Sequence, residues 1–299
     1  MDRLQAMTAF VAVVDGGGFA PAARKLKLSP PVVTRAVAEL EARLGVRLLT
    51  RTTRVVRVTE AGARYADDCR RVLAAVDEAE QAAAGSHAVP RGHLTVTAPV
   101  LFGALFITPI VTDYLARYPE VDASCWFVDR MVNLVDEGVD AAVRIGELPD
   151  SSLQAVRVGQ VRRVICAAPA YLAHAGTPAT PDELAQHRIV SAGGVTPSPA
   201  WDVNDGGKLR VVKLRPRLTT TSNDAAIAAA LGGFGLTQVL SYQVAEHLRD
   251  GRLQRVLVAY ETAPSPVHVV HREGRHASAK VRAFLDLAIA TLRADPALA

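Results

Sequence analysis

Arginines and hydroxyls, rather than a catalytic set, are the side chains of this chain whose spacing suits a chemical task. The run Arg51-Thr52-Thr53-Arg54, with Arg57 three residues on, sets guanidiniums and hydroxyls among β-branched residues. Such donors match phosphate oxygens. Upstream, Ser29, Pro30 and Pro31 precede Thr34 and Arg35. A guanidinium there can take a guanine edge through two donors, or equally a phosphate. Other chemistries fail on spacing. His268, His271 and His276 invite a metal, but residues three apart on a strand face opposite sides. The glycines at 16–18 and the GGFG run at 232–235 do not follow the dinucleotide-binding pattern, and no serine-nucleophile, zinc-protease or phosphate-loop motif occurs. No catalytic residue, metal or cofactor is expected.

The chain has 299 residues, 49% hydrophobic and 21% charged, with three cysteines, a length that makes about two domains. The composition is that of a soluble globular protein, and no apolar run approaches the ~18 residues of a membrane span. Residues 4–14 are apolar, but Asp2 and Arg3 precede them and Gln5 and Thr8 interrupt them, which reads as an amphipathic helix and not a signal peptide. Cys69, Cys125 and Cys166 lie far apart in no metal-ligand spacing, so a reducing cytoplasm and no membrane partner are expected. Charge is uneven: residues 1–64 hold 11 Lys/Arg against 5 Asp/Glu, and the remainder 23 against 25. A basic N-terminal segment beside a near-neutral remainder points to a polyanion.

Periodicity predicts the elements that hold these residues. Leu4, Met7, Val11 and Val14 recur at three- and four-residue steps and give a first helix, stopped at Gly16 to Gly18. Phe19 opens a second, with Ala22, Ala23 and Leu26 inward, and Leu28 sits in the turn that follows. Ser29 is a natural N-cap with Pro30 at the first helical position; the third helix then buries Val33, Val37, Leu40 and Leu44 and ends at Gly45. Two short helices across a tight turn make a helix-turn-helix, whose second helix enters the major groove N-terminus first. Ser29, Pro30, Pro31, Thr34 and Arg35 are its expected contacts. The run from Arg47 to Gly62 predicts a two-stranded wing tipped by Arg51, Thr52, Thr53 and Arg54, set for phosphates or the adjacent minor groove. Double-stranded DNA is the partner these features imply.

Thr59 can N-cap a further helix reaching about Ala84. Along it Tyr65, Cys69, Val72, Val76, Ala79 and Ala83 are spaced four, three, four, three and four, a heptad seam. It either lies on its own domain or joins a second copy. A long helix between domains has little else to bury against, which favours self-association. A dimer would hold two recognition helices over half-sites of a dyad-symmetric operator.

The stretch GGFAPAARKLKLSPPVVTRAVAELEARLGVRLLTRTTRVVRVTEAG resembles the DNA-binding domain of LysR-type transcriptional regulators, without a gap. Phe19, Ala22, Ala23, Leu26, Ser29, Val37, Leu40, Glu41, Leu44, Gly45, Leu48, Arg51, Thr59, Gly62 and Tyr65 carry the match. Pro21, Pro31 and Thr34 depart from it, so the base preference does not transfer from a relative.

Beyond GSHAVPRGH (85–93) strands and helices alternate: strand 93–98, helix 104–118, strand 121–128, helix 131–138 and strand 139–146. A second series runs from 161–168 through 222–240, and strand 267–273 and a helix at 278–293 close the chain. Alternation implies parallel βαβ units. RYPEVDASCWFVDR, LVDEGVDAAVRIGELPDSSL and AAPAYLAHAGTPATPDEL are similar to the family's effector domain. The resemblance implies an α+α/β architecture: a winged helix-turn-helix (1–58), a linker and dimerisation helix (59–88), and a two-lobed effector domain like that of periplasmic binding proteins (89–299). Lobe I would take 89–161 and 266–299, and lobe II 162–265, with crossings near 159–162 and 263–267. It also implies dimers or tetramers, RNA polymerase as a further partner, and a small-molecule effector that closes the lobes.

Ligands of open α/β sheets bind beyond the C-terminal strand ends. Those ends carry Thr97, Ala98, Pro99, Val100 and Phe102; Phe127 and Asp129; Ile145 and Gly146; and Ser222 and Asn223, with Trp201 added as an aromatic candidate. Many relatives carry hydroxyls after the first strand that help hold a carboxylate. Ala98, Pro99 and Val100 stand there in this chain, which favours an aromatic or otherwise largely apolar effector. The competing reading is a small-molecule binding protein or enzyme whose helical N-terminus merely dimerises it, with weak, sequence-blind DNA affinity.

Overall fold

The computed structural model describes residues 2–51, 56–84, 89–150, 152–192, 200–272 and 277–299. The chain forms two compact units, residues 1–93 with 276–279, and residues 94–275 with 280–299.

In the first unit α1 (Arg3–Asp15), α2 (Phe19–Leu26) and α3 (Pro30–Leu44) precede a hairpin of β1 (Leu49–Arg51) and β2 (Val56–Val58), and α4 (Glu60–Ala84) follows. The core is centred on Phe10, Val13, Val33, Val37, Leu40, Leu48 and Leu49. The predicted stripe of α1 is displaced by one residue. Ala6, Ala9, Phe10 and Val13 are buried, whereas Leu4, Met7, Val11 and Val14 are half-buried. The cause is that α1 meets α2, α3 and α4, so more than one stripe is covered and alanines let the neighbours close in. Leu44 is 40% exposed, against expectation, and Ala36 is buried in the α3 stripe instead. The chain turns away after Leu44 through Gly45, at φ +68°.

The linker helix also departs from its predicted seam. Cys69 is buried in this unit's own core, and Tyr65 packs on Phe10 with ring centroids 5.9 Å apart. Arg70 bonds Asp15 and Asp67. The flank of α1 supplies the surface that the one-dimensional reading could not see. Only farther along are Val72 and Ala79 exposed and Val76 half-buried; the Ala83 side chain lies outside the described residues.

In the second unit β3 (Gly92–Ala98) leads into α5 (Val100–Phe102), which continues through a π turn (Gly103–Ile107) into α6 (Thr108–Arg117). Then come β4 (Val121–Phe127), β5 (Ala141–Ile145), β6 (Gln154–Val161), β7 (Arg163–Ala167), α7 (Pro169–Ala175), β8 (Ile189–Ala192), the hairpin β9 (Ala200–Asp205) and β10 (Lys208–Lys213), β11 (Leu218–Thr220), α8 (Asn223–Leu231), β12 (Leu236–Leu240), α9 (Ser241–Arg249), β13 (Gln254–Val256), β14 (Ser265–His271) and α10 (Ala279–Ala294). Two five-stranded sheets result, ordered β4-β3-β5-β14-β6 and β11-β8-β12-β7-β13. The chain passes between them after Val161 and again before Ser265.

The sheets are mixed and not purely parallel. β3 pairs β5 in parallel, and β8 pairs β11 and β12 in parallel. The strands on either side of each crossing run antiparallel: β14 to β5 and β6, and β7 to β12 and β13. The helix expected at 131–138 is a series of turns. There the Asn133 side-chain oxygen accepts the N–H groups of Val135 and Asp136, a local bond that competes with helix. Val132 and Leu134 are still buried, against Val139, Ala142 and Val270. The helical run Val100–Arg117, 18 residues, is long and apolar enough to cross a membrane, which the sequence reading did not anticipate. In this unit it covers the first sheet, with Phe102, Ile107, Ile110, Val111 and Tyr114 buried.

Candidate DNA interface and effector cleft

Burial of Val33, Ala36, Val37 and Leu40 fixes the rotation of α3 and leaves Ser29, Pro30, Pro31, Arg35 and Glu39 on its solvent side, with Thr34 half-buried. Ser29 caps through its backbone, its carbonyl accepting the N–H groups of Val32 and Val33. Its hydroxyl makes no capping bond. The start of α3 therefore offers the exposed Ser29 hydroxyl as its donor to a phosphate, and no free helix N–H beside it, because Pro30 and Pro31 carry none and those of Val32 and Val33 are taken by the Ser29 carbonyl. Arg35 Nε donates to Glu39 Oε1 at 3.0 Å, and that bond is the main cause holding the Glu39 carboxyl below its usual range. Glu39 escaped the sequence reading, although the i,i+4 rule for helical ion pairs would have found it.

The wing is tied to α3 by Glu41, whose Oε1 accepts the N–H groups of Leu48 at 2.8 Å and Leu49 at 2.9 Å. Thr59 Oγ1 donates to the Arg47 carbonyl and accepts the Gly62 N–H, 2.9 Å each. Gly62 lies so close to β1 that a Cβ there would sit 2.0 Å from the Leu48 carbonyl oxygen. Arg51 ends β1, with its side chain outside the described residues, as are Thr52, Thr53 and Arg54. Arg57 is exposed on β2.

In the second unit the ends of β3 and β4 meet at the start of α5. The Ala98 carbonyl accepts the Val128 N–H at 3.0 Å, and Asp129 Oδ1 accepts the Val100 N–H at 3.0 Å. Thr97, buried, donates its hydroxyl to the Trp126 carbonyl at 2.6 Å. Pro99 caps α5, and the Phe127 ring lies against Gly103, where a Cβ would be 2.2 Å away. Ile145 ends the neighbouring β5, and the N–H of Gly146 is bonded to the Pro266 carbonyl. Ser222 caps α8, accepting the Ala225 N–H, and Asn223 is its first residue.

Tyr242, at the start of α9, links the two groups. Its ring packs edge-on to Phe102 at 5.3 Å and against Phe106 at 5.8 Å. Burial pushes its hydroxyl up to about 12, with Asp129 and Asp224 both adding to the rise and a hydrogen bond from Gln243 opposing it. Leu101 packs among the second lobe's residues Val164, Ile227, Val239 and Val244. Tyr242, Gln243 and Phe106 were missed, though the end of β12 obeys the same strand-end rule as the others. Trp201 does not join this cluster. It is buried under the β9–β10 hairpin with Tyr171, Leu172, Leu184 and Leu236, a core residue of that sheet.

A helix-turn-helix with a wing, followed by two α/β sheets joined by two chain crossings, defines a class of ligand-responsive DNA-binding proteins. Residues 4–63 match the family model "Bacterial regulatory helix-turn-helix protein, lysR family", and residues 87–293 match "LysR substrate binding domain". An HTH-type transcriptional repressor of Pseudomonas aeruginosa is 36% identical over 99% of this chain and 94% of its own. The structure of CrgA, a LysR-type transcriptional regulator from Neisseria meningitidis, is 31% identical, with 96% of this chain and 98% of that one covered at a TM-score of 0.63. The full-length virulence activator AphB of Vibrio cholerae is 26% identical, with 97% and 99% covered at a TM-score of 0.62. The chain belongs to the LysR family: it is a transcriptional regulator with a DNA-binding domain and an effector-binding domain. Relatives matched along the chain are named as a transcriptional repressor, a regulator and an activator.

Proposed function

We propose that this regulator reads a dyad-symmetric operator through the start of α3 and the wing, and that an uncharged, aromatic or largely apolar effector controls it from the cleft at the start of α5. The observation that carries the DNA reading is the rotation of α3: with Val33, Val37 and Leu40 inward, Ser29, Pro30, Pro31 and Arg35 are turned outward together, with Thr34 at their edge. Arg51, Thr52, Thr53 and Arg54 complete the contact from the wing. Thr97, Ala98, Pro99, Val100, Phe102, Phe127, Asp129, Ile145, Gly146, Ser222 and Asn223 are the proposed effector surroundings, with Phe106 and Tyr242 added.

An acid suits that cleft poorly. The Val100 N–H, where an anion would dock, is bonded to Asp129, and the Thr97 hydroxyl is committed to a backbone carbonyl. Self-association runs along the distal half of α4, where Val72 and Ala79 are exposed beyond the domain core. The protein works in the cytoplasm, without catalysis, and RNA polymerase is a further partner of the bound assembly. The test is capture of genomic fragments by the full chain across a salt series, with Arg35→Ala/Arg51→Ala/Arg54→Ala as control. Enrichment of a few fragments sharing an inverted repeat, lost in the control, supports the reading; even retention across the genome, or equal retention by the control, overturns it.

A further inference from the structure

The solvent side of α3 carries one feature that phosphate binding does not require. Arg35 Nε donates to Glu39 Oε1 at 3.0 Å, one helical turn on, and both side chains are exposed. A carboxylate on a surface that approaches DNA is costly for every non-specific pose, because it faces phosphates. Its compensation lies in what the bond does to the arginine. A free guanidinium settles on phosphate oxygens in many orientations and carries no sequence information. With Nε held by a carboxylate the planar fork is oriented, and among the described residues its two Nη groups make no hydrogen bond. Those groups then offer two parallel donors, the geometry that matches O6 and N7 of guanine.

We propose that Glu39 is a specificity-determining residue, which holds Arg35 in the orientation that reads a guanine in the major groove. This rests on α3 being the helix that enters the groove. The two consequences of Glu39 have opposite signs: it weakens binding to arbitrary DNA and strengthens binding to sequences with the guanine in register. A merely electrostatic residue changes both in the same direction.

The experiment selects from a library of random-sequence duplexes with the full-length chain, its Glu39→Gln variant and its Arg35→Ala variant, followed by sequencing of the retained pools and titration of one selected and one scrambled duplex. The pair is exposed, and thermal unfolding checks that each variant folds. The expected result is a dyad motif in the parent pool with one strongly preferred guanine per half-site. Arg35→Ala loses the preference at that position alone, and Glu39→Gln reduces it by about tenfold while binding the scrambled duplex more tightly. An unchanged motif in Glu39→Gln, or an equal tightening on both duplexes, overturns the role of Glu39. A parent pool with no motif overturns the assignment of α3 beneath it and this inference with it.

Discussion

Replacing Glu41 by alanine should loosen the wing from the recognition helix. One oxygen of this half-buried side chain accepts two consecutive backbone N–H groups, Leu48 at 2.8 Å and Leu49 at 2.9 Å, and both residues are core members at 2% and 1% exposure. Bonds to a charged acceptor contribute about 1.5–3 kcal/mol each, and an orphaned buried donor costs about 1–3 kcal/mol. Partial exposure lets water replace part of this, so about 2–3 kcal/mol for Glu41→Ala and about 1 kcal/mol for Glu41→Gln, which keeps an acceptor, are the expected losses. For a domain of this size 2 kcal/mol lowers the midpoint by roughly 8–16 °C. Thermal unfolding of the full chain, followed through the N-terminal transition, reads the loss. Hydrogen exchange at the Leu48 and Leu49 amides localises it, and DNA affinity should fall with the wing's position. An unfolding midpoint within a degree of the parent, with both amides equally protected, would show that Glu41 does not hold the wing.

Three further outcomes are expected. Gly62→Ala, whose Cβ would meet the Leu48 carbonyl oxygen at 2.0 Å, should destabilise the same unit by at least the ~1–3 kcal/mol of an overpacked core, and urea titration measures it. Tyr242→Ala should open the Phe102–Phe106–Tyr242 cluster and shift effector-dependent DNA binding, whereas Tyr242→Phe keeps the rings and should shift it less; a chemical shift or fluorescence titration with candidate apolar ligands separates the two. His187, bonded to the Tyr171 hydroxyl, has its pKa lowered from 6.5 chiefly by burial. A lowered folded value means the unfolded chain takes the proton first, so its contribution is complete above about pH 6.5 and is lost as pH falls through the folded value. His187→Gln should flatten the dependence of the urea midpoint on pH in that window, and an unchanged slope would rule the contribution out.

Much of the N-terminal unit was legible because its determinants are local. The glycines at 16–18, the Ser29-Pro30 start and the left-handed Gly45 punctuate the chain irrespective of what packs nearby. Which face of α1 is buried was not local, since α2, α3 and α4 all press on it. The heptad pattern of α4 was real as a pattern, yet its first residues, Tyr65 and Cys69, were claimed by the core that α1 completes. In the second unit the apolar runs announced strands, but their direction did not follow, because each sheet receives strands from both sides of a chain crossing.

Residue type, spacing and chain punctuation were enough for the family, for the basic helix-turn-helix with its wing, and for where most strands of the second unit lie, because these are local properties of the chain. Tertiary structure alone decided that Asp129 occupies the Val100 N–H, that Tyr242 closes on Phe102, that Trp201 is core, and that Glu41 fastens the wing to α3. The Asp129–Val100 bond and the Tyr242–Phe102 contact join residues 29 and 140 positions apart in the chain. No periodicity records such pairings; they exist only when the sheets bring their ends together and helix rotation selects which side chains meet.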